Sequence, residues 1–142
     1  MPVIYQSKIL RADLRANRKI LYAFGDNDER YGLGGQAKEM RGEPNARGIR
    51  TKRSPGGIES SYWTDNKIQE NVRKILNDLT PIQDHLARGG IVVLPIDDGG
   101  EISIGAGRAK MKQMCPQTYA VLRNLLIGLG EKLLPPRLSD LL

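Results

Sequence analysis

The sequence predicts an α/β domain of three layers, a mostly parallel sheet with helices on both faces. Three observations point that way. Residues 19–24 (KILYAF) and 91–95 (IVVLP) are short, β-rich apolar runs bounded by glycine or proline, the pattern of strands buried on both faces. Between them, Ile68, Val72, Ile75, Leu76 and Leu79 recur at the spacing of one helix face. Strands that alternate with helices are joined by crossovers, and crossovers make a parallel sheet covered on both sides.

Taken in order, Val3-Ile4-Tyr5 is a first short strand, and a polar stretch through Asn17 separates it from KILYAF. Gly25-Asp26-Asn27-Asp28 then stops the second strand. Residues 34–41 read as a short helix that begins among glycines and ends at Gly42 and Pro44. Residues 48–52 are a further strand candidate, followed by the loop Ser54-Pro55-Gly56-Gly57. Asp65 is placed to cap the helix that carries the apolar stripe. Thr80-Pro81 either breaks that helix or starts a second one running to Arg88. Gly89-Gly90 leads into IVVLP, the loop Asp97-Asp98-Gly99-Gly100 follows, and an apolar patch lies at 102–104. Pro116 opens a last helix through Leu129. Residues 1–134 are expected to form a single domain and 135–142 a C-terminal tail.

Of 142 residues, 39% are hydrophobic and 27% charged, the balance of a globular chain. No apolar run nears the roughly 18–20 residues of a membrane span. The first ten residues lack a secretory pattern, so a cytoplasmic protein with no membrane partner is expected. Cys115 is the one cysteine and His85 the one histidine, which argues against an internal disulfide, a structural zinc site or a Cys/His catalytic pair, and no cofactor is expected. The net charge of +6 is uneven: between Lys38 and Arg53 six basic side chains stand against Glu39 and Glu43. Such a surplus favours a phosphorylated small molecule, or nucleic acid held by Arg41, Arg47, Arg50, Lys52 and Arg53, or is a plain solvated face.

In open parallel sheets ligands bind outside the carboxyl ends of the strands. Two candidate loops fall there. Gly25-Asp26-Asn27, followed by Gly32-Leu33-Gly34-Gly35-Gln36, lets backbone amides approach an anion, or is a tight turn packed on the sheet. It is neither a GxGxxG fingerprint nor a P-loop. Asp26 and Asn27 are candidates to touch a sugar or base or to orient water, or they form a turn-stabilising pair. Asp97 and Asp98 are a second acidic candidate, to bind a divalent cation or, in one of them, to serve as a base, or simply an acidic turn before Gly99-Gly100. Gly105 and Gly107, leading to Arg108 and Lys110, suit a second phosphate loop. Tyr62 and Trp63 either stack on a base or close the core edge.

The string FGDNDERYGLGGQAKEMRGEPNARGIRTK, with IVVLPIDDGG and IGAGRAK later, resembles a family of small phage and bacterial proteins whose organisation in turn resembles the macro domain. That resemblance implies an ADP-ribose-binding fold, with nucleotide or ADP-ribose as ligand and hydrolysis of an ADP-ribosyl bond as an accompanying activity. Under it, Asp26, Asn27 and residues 32–37 stand for the first loop, and 91–95 and 104–107 for the second strand and its phosphate loop; with Asp97 from its own acidic loop, Asp26 and Asn27 are the candidate catalytic residues. Gly25, Gly32, Gly34, Gly35, Gln36, Lys52, Asp98, Gly105 and Gly107 are the candidate ligand-binding residues.

Overall fold

A computed structural model describes residues 3–105 and 109–129. Its sheet has four parallel strands in the order β1-β4-β2-β3. The strands are β1 (Val3–Gln6), β2 (Ile20–Asn27), β3 (Ala46–Lys52) and β4 (Ile91–Pro95). KILYAF and IVVLP are parallel neighbours, with Leu21 beside Val92 and Tyr22 beside Val93. Both lie inside the sheet, which accounts for their unbroken apolar character.

Alternation along β2 divides the core into two. Tyr22 and Phe24 face Leu14 of α1 (Arg11–Ala16) and Ala37 and Met40 of α2 (Ala37–Met40). Leu21 and Ala23 face the other way. There they meet Ile75, Leu79 and Ile82 of α3 (Ile68–Ala87), Met111 of α4 (Met111–Met114) and Leu122, Leu125 and Leu126 of α5 (Pro116–Gly128). Helices thus cover both faces, and the three layers are those expected.

Several local expectations are corrected. The polar stretch before KILYAF holds α1, a helix too short and too exposed for a periodicity to show. The second strand does not stop at Gly25 but continues through Asn27, paired with β3. The glycine-flanked helix shrinks to the single turn of α2. Thr80-Pro81 neither breaks nor restarts a helix: α3 runs through it, with Pro81 inside. Proline there removes one hydrogen bond, and the buried stripe from Val72 through Ile75 and Leu79 to Ile82 holds the helix together across the gap. Asp65 lies in a 3₁₀ turn (Asp65–Lys67) and caps α5 rather than α3. The tail at 135–142 lies outside the described residues. Among those described, no helix is long and apolar enough to cross a membrane.

Candidate functional site

The connections set the site. From β2 the chain leaves toward the face of α1 and α2, whereas from neighbouring β4 it leaves toward the face of α4 and α5. Adjacent parallel strands whose outgoing chains diverge in this way open a crevice at their carboxyl ends, the usual ligand position in such sheets.

Two glycine loops meet at these strand ends. A Cβ on Gly25 would lie 1.7 Å from the carbonyl oxygen of Ile104, so only glycine admits the post-β4 backbone against β2. Gly105, at φ +84°, sits on the other side of this contact. Gln36 spans the loops, its Nε2 donating to Ser103 O at 2.9 Å, while its Oε1 is buried with no partner among the described residues. Gly32 (φ +104°) and Gly35 (φ +57°) hold left-handed conformations that turn the chain back toward α2. Gly34 does not, and both Gly34 and Gly35 are exposed. Their amides donate to no described residue. The ammonium groups of Lys52 and Lys110 lie 4.8 and 5.2 Å from the centre of the Tyr62 ring, and Lys52 also donates to Gly56 O. Trp63 is buried and donates to Asp28 Oδ2, closing the core edge. Gly107 lies outside the described residues.

The acidic candidates sit elsewhere. Asp26 shares the face of Tyr22 and Phe24, and its carboxylate is filled by the Asn27 amide, Arg30 and both terminal nitrogens of Arg41, the shortest contact being 2.6 Å. Burial raises its pKa, but the hydrogen bonds from Arg41, the Asn27 amide and Arg30 outweigh burial and hold the carboxyl below its ordinary value. Asn27 accepts from Glu29 N and donates to Tyr31 O, tying its own turn. Asp97 accepts from the amides of Gly99 and Glu101 and so builds the exposed turn that also contains Asp98. No group of three or more His, Cys, Asp or Glu is placed to hold a metal among the described residues.

Residues 4–125 match DUF7831, a family of unknown function. The chain belongs to that family. No curated protein and no solved structure gives a significant match. In this DUF7831 protein the geometry therefore carries the functional reading.

A second site emerges that the sequence did not bring together. Asp78, on α3, accepts from the backbone and side chain of Arg50 and from Arg30 Nη2, so Arg30 bridges Asp26 and Asp78. A cleft of about 350 Å³ runs over these groups and is bordered by Arg30, Arg41, Arg47 and the backbone of Gly42 and Gly48. Gly48 is small for a reason: a Cβ there would come within 2.5 Å of Asp26 Oδ2. Asp78, 52 positions from Asp26 and on a helix read only for its apolar stripe, left no local signal. Neither did Arg30, whose left-handed backbone (φ +55°) aims it at both carboxylates.

Proposed function

We propose that the crevice between the ends of β2 and β4 binds a phosphorylated nucleotide, with an ADP-ribose-like pyrophosphate as the ligand class. The observation that carries this reading is the meeting of two glycine loops at the point where the chain directions diverge, bridged by Gln36 and Ser103. The amides of Gly34 and Gly35, which donate to no described residue, take the phosphates. Lys52 and Lys110, both held on the Tyr62 ring, are the cations this reading assigns to the phosphates. Asp26 enters as the group that fixes Arg41, which in turn donates to Gly32 O at 2.8 Å and steadies the loop. The reading is one of binding, because Asp26 and Asn27 spend their polar atoms on the protein itself.

Titration calorimetry of ADP-ribose, ADP and pyrophosphate into wild type and Gly34→Val tests it. Gly34 does not hold a left-handed backbone, so the substitution adds bulk without that strain. Losing one charge-assisted hydrogen bond costs about 1.5–3 kcal/mol, roughly ten- to a hundredfold in affinity. Wild-type affinity in folded Gly34→Val, or no binding of any of the three ligands by wild type, would overturn the proposal.

A further inference from the structure

The basic charge of this chain is concentrated on one surface. Residues 11–19 and 38–50 carry eight basic side chains against three carboxylates, a surplus of five beside the +6 of the whole chain. The structure brings these two segments together. Arg11 Nη2 donates to the carbonyls of Lys38 and Arg41, and Arg18 Nη1 donates to Asn45 Oδ1. Arg47 Nη1 is fixed on Pro44 O at 2.9 Å.

Buried carboxylates hold the guanidinium groups in place. Glu43, its side chain 6% exposed, pairs with Arg11, Arg15 and Arg18. Asp26 and Asp78, equally hidden, hold Arg30, Arg41 and Arg50 between them. Each acid lies beneath more positive charge than it cancels, and the solvent meets the guanidinium groups: Arg15 is 64% and Arg18 45% exposed. Arginines fixed from behind lose less rotamer freedom when they grip a ligand, and their planar forks match phosphate oxygens.

From this arrangement we infer that the α1–α2–β3 surface binds the phosphate backbone of a nucleic acid. The cleft bordered by Arg30, Arg41 and Arg47 is concave, and at Gly42 in its lining nothing stands within 4 Å of where a Cβ would be, which leaves room for a phosphodiester. Arg15 and Arg18 continue the charge beyond the cleft along the same surface, so successive phosphates are served where a single small anion would use the cleft alone. A lipid surface fits less well. Exposed large apolar side chains stand at its margins, at Leu10, Tyr31 and Leu33, and none lies within 11–19 or 38–50, where the charge is. The inference is independent of the nucleotide proposal, whose crevice lies at the strand ends.

Fluorescence anisotropy with a labelled single-stranded oligonucleotide and its duplex, each titrated between about 50 and 200 mM salt, tests the inference. Wild type should bind at least one of the two with a steep salt dependence. Arg15→Gln/Arg18→Gln should weaken binding tenfold or more and reduce the log–log salt slope by roughly 0.7–0.9 per lost phosphate contact. Arg47→Gln should lower the slope again. Lys112→Gln/Arg123→Gln removes the same charge from the α4–α5 side and should leave affinity within twofold. Melting curves of all variants confirm that they are folded. Equal losses in the two double variants would overturn the inference, because the effect would then be net charge rather than this surface. Failure of wild type to bind either oligonucleotide, with or without binding to phosphatidylserine vesicles, would also overturn it.

Discussion

Asp26 joins the two surfaces of this protein through one side chain. Its carboxylate holds Arg41 at 2.6 Å, and Arg41 lies over the Phe24 ring and reaches the carbonyl of Gly32 in the glycine loop. Removing the negative charge leaves Arg41, only 22% exposed, beside Phe24 without a counter-ion. We therefore expect Asp26→Asn to cost about 2–4 kcal/mol in urea unfolding near neutral pH, somewhat less than a fully buried pair because Arg30 reaches solvent. The pH dependence has a definite sign. A carboxyl whose folded pKa is lowered contributes stability above its unfolded value, ordinarily 3.8, and loses it as pH falls through the lower folded value. The gap between wild type and Asp26→Asn should stay constant down to about pH 4 and close below it. A gap that closes between pH 7 and 5 would contradict this assignment. The sequence placed Asp26 correctly at a strand end but pointed it toward the crevice. Alternation along β2 settles the direction instead, since Asp26 follows Tyr22 and Phe24 on their face.

At the scale of elements, burial decided what was legible. The inner strands and α3 announced themselves because each hides a continuous apolar pattern. Helix α1 buries only Leu14, and α2 and α4 are single turns, so none of them has a period to detect. Asp65 shows the limit of capping signals: an acid near a helix start looks like that helix's own cap, yet tertiary packing assigns it to another. Its carboxylate accepts from the amides of Gln117 and Thr118 and from the Thr118 hydroxyl, all within 3.0 Å, satisfying donors that the first turn of α5 leaves open. Asp65→Ala should lower stability by about 1–2 kcal/mol and speed hydrogen exchange of the Gln117 and Thr118 amides. Asp65→Asn keeps an acceptor oxygen and should recover part of the loss. Unchanged exchange at those two amides in Asp65→Ala would mean that the cap contributes nothing to α5.

Over the whole molecule the sheet separates two packed sides, α1 and α2 over the smaller core and the helices α3, α4 and α5 over the larger one. Cys115 lies in the larger core, fully buried where α4 meets α5, and so reports on the integrity of that side. Burial and the nearby Asp65 charge push its thiol up to about 12, with Thr118 opposing them. A thiol that must be neutral in the fold but ionises freely when unfolded stabilises the native state fully below its ordinary pKa of 9.0. That contribution disappears as pH rises from about 9 toward 12. Native Cys115 should therefore resist a disulfide reagent at pH 8 and react only through opening of the core, with a rate that climbs with urea as global unfolding does. Cys115→Ala should flatten part of the alkaline loss of stability that wild type shows. Labelling at the rate of a free thiol in the absence of urea would place Cys115 outside the cooperative core. An alkaline stability profile that is unchanged in Cys115→Ala would show that the thiol's burial has no part in it.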